Sequence, residues 1–304
     1  MNRTPEVVVV GSACRDLVED DARGWRLGGG ASYSALTLAR LGLHVGAIVV
    51  ADELAASSTE LDMVRDAGVE VVVVPGSRGP VFINIETPTG RVQQTPQVSD
   101  PVDPRALPDS WRRAPAWMLV PVAAEVTDEW ADVPPPDAAV AVGWQGLLRV
   151  LTAGAEVRHL PPTSTRVVRR ANLVGVGRDD IDLSMSAADL VGLLRPGATM
   201  LFTNGVHGGE ALEVGEAGAI AGVRHWHSIP IQRYVDPVGA GDTFLAGVFA
   251  ARVKPEIAAS WTDADPDLRM GAAVGSLILE GPGLYGVPDH AAAVRRMHGG
   301  DNPD

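Results

Sequence analysis

Four valines in a row, at positions 7–10, run straight into Gly11-Ser12, and this short stretch restricts the architecture more than any other. β-Branched residues favour extended backbone. A strand with no polar position on either side has both faces covered, as strands of parallel sheets do. Parallel strands need crossover helices, and Gly28-Gly29-Gly30 precedes a segment, 31–41, whose apolar spacing and closing Gly42 predict a helix with a defined stop. Strand, glycine turn and helix in that order open a doubly wound α/β fold. The rhythm continues with a strand at 44–50, a helix at 54–67 closed by Gly68, and a strand at 69–74.

The alternation then breaks. Segments 81–86 and 91–94 alternate polar and apolar residues around Thr87-Pro88-Thr89-Gly90, which predicts a half-exposed hairpin standing above the sheet as a small lid. The charged segment 17–27 is its second piece. Past an irregular, proline-rich path at 96–115, strands are expected at 116–121, 138–142, 172–176 and 199–203, with short helices at 126–130 and 187–194. Gly143-Trp144-Gln145-Gly146 leads into a segment read as helix, which carries Arg149. Segments 210–214 and 219–226 predict an antiparallel hairpin, 268–280 a helix, and 289–297 a last helix. The reading is one domain, 1–304, with a reduced β lid formed by about 17–27 and 80–98.

Composition removes several function classes. A net charge of −13 argues against a protein that lives on nucleic-acid phosphates, which are bound by clustered Lys and Arg. Cys14 is the sole cysteine, so an internal disulfide and a cysteine zinc cluster are both excluded. His225 and His227 share one side of a strand, but no third ligand lies near them in sequence and a metal site needs three or four. The sequence contains neither a signal-peptide-like segment nor an apolar run of membrane-spanning length, so a cytoplasmic protein acting on a small molecule, with no membrane partner, is expected.

Chemistry concentrates in Val235-Asp236-Pro237-Val238-Gly239-Ala240-Gly241-Asp242-Thr243-Phe244. The apolar spacing of Phe244, Leu245, Val248 and Phe249 predicts a helix beginning near Ala240 or Gly241, with its first amides unpaired. Those amides and the helix dipole favour an anion, and phosphate commonly sits at such a start. A carboxylate there would repel a bound phosphate, so Asp242 reads as a general base that takes a proton from a substrate hydroxyl while the amides stabilise the moving phosphoryl group. The competing reading makes Asp242 a helix cap and the glycines a tight turn. Asp16, beyond the carboxyl end of the first strand, is a candidate substrate contact.

Together these pieces resemble the ribokinase (PfkB) family of carbohydrate kinases over nearly the whole chain. Gly28-Gly29 with Ala35, Ala39-Arg40 and Gly42 follows the family's amino-terminal pattern, and Asp236 to Phe244 with Gly247 follows its carboxy-terminal signature. The resemblance implies a three-layer α/β/α ribokinase-like fold with a mostly parallel sheet. It also implies ATP-dependent transfer of the γ-phosphoryl group to an alcohol, with Mg2+ on the phosphates. Asp242 would be the base, and the amides of Gly239, Ala240 and Gly241 the anion hole. Asp16, Gly28 and Gly29 fall on the acceptor side, with Tyr33 where sugar kinases usually carry Asn. Thr203, Gly205 and Gly208 match the nucleotide-side turn, Ala272 and Gly275 lie in the adenine-flanking segment, and Asp236 matches the acid of a loop that holds K+ in many members. Gly177-Arg178-Asp179-Asp180 replaces the Asn-x-x-Glu motif linked to magnesium and phosphate, keeping an acid only at Asp180. The reduced lid, Cys14-x-Asp16 and Gln145-Gly146-x-x-Arg149 resemble the lid-poor branch that includes myo-inositol kinases.

The expected activity is phosphorylation of a sugar or polyol. A nucleoside acceptor, or a catalytically weakened nucleotide- or sugar-binding member, is the alternative. A dinucleotide-dependent oxidoreductase fits less well, because the early glycines lack G-x-G-x-x-G spacing after the first strand. An exposed lid strand near 81–95 would suit a homodimer.

Overall fold

The computed structural model describes residues 3–87, 90–182 and 184–299. β1 (Val7–Ser12) is central to a nine-stranded sheet. Val7 and Val9 enter one hydrophobic core and Val8 and Val10 the other, and all four are fully buried. Period-two alternation between two covered faces is what an unbroken valine run requires.

On one side of β1 lie β4 (Val45–Val50) and β5 (Glu70–Val73). On the other lie β8 (Ala116–Val120), β9 (Ala139–Gly143), β13 (Leu173–Gly177) and β14 (Thr199–Thr203). Every pairing from β5 across to β14 is parallel. The hairpin of β15 (Gly209–Val214) and β16 (Ile220–Trp226) extends the sheet antiparallel. Strand order reverses between β1 and β8, which opens a crevice at their carboxyl ends.

One face is covered by α1 (Gly30–Arg40), α3 (Thr59–Asp66), α6 (Ala240–Val253), α7 (Pro266–Leu277) and α8 (His290–Met297). The other is covered by α4 (Arg166–Arg170), α5 (Ala187–Val191) and the fully buried Trp111, Trp117, Trp130 and Trp144. This is the three-layer α/β/α arrangement expected. The helix expected over 54–67 is two: α2 (Glu53–Ala56), capped by Asp52, precedes α3, whose capping Ser58 accepts the Leu61 N–H at 3.2 Å. A cap satisfies amides only where a helix begins, so Ser58 divides the segment. The short helix expected at 126–130 is a 3-10 turn, Asp128–Asp132.

The lid is a separate five-stranded sheet. Its order is β11 (Ala155–Glu156), β7 (Gly90–Gln97), β6 (Val81–Thr87), β2 (Cys14–Leu17), β3 (Trp25–Gly28). β10 (Arg149–Val150) pairs separately with β12 (Arg158–His159), so Arg149 begins a strand and not the helix expected there. The exposed edge expected near 81–95 is covered in part. β6 lies between β2 and β7, β11 pairs with β7 at Gln94 and Thr95, and the outer strands of the lid are β3 and β11.

Candidate active site

The crevice at the strand ends contains a cleft of about 190 Å3. Gly29 and Gly30 line it, with Gly28 just before them. Asp16 on β2 is buried, and its Oδ2 lies 2.1 Å from where a Cβ on Gly28 would stand. Gly29, at φ 98°, passes so close to the Ser12 carbonyl that a Cβ would meet its oxygen at 2.2 Å. A Cβ on Gly30 would meet the Val120 carbonyl oxygen at 2.6 Å and Asp242 Oδ1 at 3.1 Å. The start of α1 is thus threaded between two carboxylates, which only bare backbone allows.

Asp242 comes from the opposite wall. Gly239 takes a left-handed φ of 83° and caps α6, in which Asp242 is the third residue. The Tyr33 ring lies flat against this turn, for a Cβ on Gly239 would meet its Cδ1 at 2.4 Å. The Ala240 N–H donates to the Pro237 carbonyl at 3.3 Å and the Thr243 N–H to Gly239 at 2.9 Å. The amides of the first helical turn between them have no preceding helical carbonyl to reach. Gly241 faces open space, so the approach to those amides is clear. Burial pushes the Asp242 carboxyl up to about 7, the nearby charge of Asp180 adds to this, and Arg149 opposes it. Its side chain still borders the cleft, where a general base must meet its proton.

Elsewhere in the cleft, Asp180 Oδ1 accepts from two residues expected on the acceptor side, Gln145 Nε2 at 2.9 Å and Arg149 Nη2 at 3.5 Å, while Oδ2 accepts the Gly177 N–H at 3.1 Å. Gln145, Arg149, Asp180 and Thr203 all line the cleft. Gly205 and Gly208 do not, and Gly208, at φ 79°, packs on the Trp226 carbonyl. Nor do Ala272 and Gly275. Ala272 is buried in the core, and Gly275 faces Phe244 in the α6–α7 contact, where a small residue lets the helices approach.

For Mg2+, no cluster of three or more metal-ligating side chains occurs among the described residues, and both Asp180 oxygens already face N–H donors. The described residues offer no cage of their own. Mg2+ in such sites travels largely on substrate phosphates and water. K+ at Asp236 fits no better, because that carboxylate is ringed by N–H groups.

Residues 180–290 match the pfkB family of carbohydrate kinases, a span that holds Asp180 and the whole turn from Asp236 to Asp242. The carboxy-terminal part of the chain is thus similar to this family. No curated protein matches its sequence. Among solved structures, it is similar to a pyrophosphate-dependent kinase of the ribokinase family complexed with a pyrophosphate analog and myo-inositol, with TM-score 0.68 and 17% identity over 91% of this chain and 96% of that one. It is also similar to Arabidopsis thaliana ribokinase complexed with ribose and ATP, with TM-score 0.67 and 16% identity over 97% and 99% of the two chains. Giardia lamblia ribokinase gives TM-score 0.70 and 14% identity over 97% and 99%. At these identities the likeness is one of fold.

Around the cleft stand further residues that the sequence reading passed over. Asn84 on β6 points Nδ2 at Asp16 Oδ1 from 3.5 Å, and Gln93 on β7 donates to Asn84 at 2.8 Å, so the lid carries a polar relay to Asp16. Their signal was present: Asn84 and Gln93 are polar residues in the alternating hairpin. Glu125 is fully buried behind the cleft wall, accepting the N–H groups of Val122 at 3.1 Å and Ala123 at 2.7 Å. Nothing in its local sequence marks it.

Proposed function

We propose that this chain transfers the γ-phosphoryl group of ATP to a hydroxyl of a small sugar or polyol, with Asp242 as the general base. The observation that carries the reading is the placement of a half-buried carboxylate with a pKa near 7 in the first turn of α6, beside amides free to receive charge. Asp16, held by Asn84, is the second carboxylate of the cleft, suited to grip neighbouring hydroxyls. Arg149 and Gln145 would orient the acceptor or the moving phosphoryl group. The cleft suits a small polar acceptor better than a nucleoside, and the myo-inositol bound by one structural relative favours a cyclic polyol. Mg2+, carried on the donor, would supply charge neutralisation there.

A second reading concerns the donor. Ala272 and Gly275 are packed between helices and do not line the cleft, and one structural relative is pyrophosphate-dependent. These favour inorganic pyrophosphate as an alternative source of the phosphoryl group. The test is a screen of hydroxylated metabolites with each donor, following phosphorylated product directly. Turnover with one acceptor, reduced on the order of a hundredfold or more in Asp242→Asn, is expected. Full activity in that variant would remove Asp242 from its role, and silence across the screen would favour a binding protein.

A further inference from the structure

The acid that opens the anion-hole turn is held in a way that has a consequence for metal dependence. Asp236 Oδ1 accepts the Val238 N–H at 2.9 Å. Its Oδ2 accepts the Gly283 N–H at 3.1 Å and faces Arg26 Nη1 at 3.4 Å. Both oxygens therefore look at donors. An alkali cation needs the opposite, a shell of oxygens that replaces its water. We propose that the Arg26 guanidinium is the resident cation of the Asp236 turn, so that the lid, and not a monovalent metal ion, holds the anion hole in shape.

Three features support this. The first is reach: Arg26 belongs to β3, its Cδ lies 3.8 Å from where a Cβ on Gly283 would stand, and its side chain is mostly covered. It borders a cavity of about 220 Å3 shared with Tyr33, Asp236 and Gly283, beside the main cleft. The second is connectivity. Arg26 is register partner to Asp16 across the β2–β3 ladder and lies two residues before Gly28, so one short strand touches the acceptor carboxylate, the glycine strip and the Asp236 turn. The third is permanence, since a guanidinium keeps its charge at every pH the protein meets. Arg26 Nη2 also holds Asp20 at 2.7 Å, but that partner is largely exposed and the contact is correspondingly weak. Within the proposed kinase, Arg26 is a positioning residue, acting on transfer only through the turn.

The experiment exchanges potassium for tetramethylammonium at constant ionic strength and reads melting temperature and turnover in wild type, Arg26→Ala and Arg26→Gln. Wild type should melt and turn over equally in both salts. In Arg26→Ala the melting temperature should fall by about 2–4 °C, the size of a single lost surface-to-buried contact in a domain of this length. Potassium, but not tetramethylammonium, should restore much of that loss and raise kcat several-fold with little change in acceptor KM. Arg26→Gln, which keeps the stem and tests the charge if the alanine variant fails to fold, should respond in the same way. Wild type stimulated several-fold by potassium would overturn the proposal, as would variants that ignore the choice of salt. The catalytic part rests on the kinase reading, whereas the melting part needs neither donor nor acceptor, so failure of one is distinguishable from failure of the other.

Discussion

Asp242 Oδ1 stands 3.1 Å from where a Cβ on Gly30 would be, although the two residues enter the site from opposite ends of the chain. The contact aligns the first residue of α1 with the third of α6, and through Gly28 the same strip presses on Asp16.

A methyl group at Gly30 would therefore act on the base directly. Gly30→Ala is expected to lower kcat by at least tenfold, because a misplacement of about an ångström at the reacting groups is expensive. Its unfolding free energy should fall by about 1–3 kcal/mol, from the collision with the Val120 carbonyl. Single-turnover kinetics and urea denaturation would separate the two effects.

The pH profile should report the Asp242 carboxyl. As the base must be ionised, kcat/KM should rise about tenfold per pH unit below its pKa, which burial and Asp180 bring to about 7, and level off above it. Asp180→Asn removes the repelling charge and should move this limb to lower pH, and Arg149→Gln should move it to higher pH. The stability effect has the opposite sense. A carboxyl raised from its ordinary 3.8 favours the folded state fully at low pH and loses that contribution as pH climbs through about 7. Asp242→Asn should thus gain stability relative to wild type above neutrality, by about 1 kcal/mol because the group opens on the cleft, and not below pH 4. Melting curves at both extremes would check the sign.

Tyr33 offers a test of support against recognition. Its ring carries the Gly239 turn. Tyr33→Phe, which keeps the ring, should stay within about threefold of wild-type turnover. Tyr33→Ala should lose about 3–5 kcal/mol of stability, as large-to-small core changes do, together with most activity. A tyrosine whose hydroxyl bound the acceptor would show the reverse pattern in KM, with Tyr33→Phe already impaired.

Glu125 should matter for folding more than for chemistry. Burial raises its carboxyl pKa while the Val122 and Ala123 amides oppose the rise. Glu125→Ala orphans those two amides and is expected to cost about 2–6 kcal/mol, at about 1–3 for each buried donor left unpaired. Glu125→Gln keeps an acceptor and should cost less than half as much. Equilibrium unfolding of the pair would decide.

Much of the fold was legible because its signals are local. Runs such as 7–10 and 172–176 carry their own evidence of two covered faces, and the β15–β16 hairpin was visible from its turn. The split between α2 and α3 depended on one serine cap, which a periodic pattern hides. Arg149 was misplaced because two short strands, paired only to each other, leave no periodicity to read.

The amino-acid sequence by itself determined the parallel α/β layers and the helix start with Asp242 in its first turn, since each is encoded within about a dozen consecutive residues. Only the tertiary structure decided that Arg26 faces Asp236 across 210 positions, that Asn84 reaches Asp16 across 68, and that Gly275 serves helix packing. A propensity acts between neighbours along the chain, whereas charge pairing and close approach act between neighbours in space, and those exist only after the sheet has drawn the strand ends together.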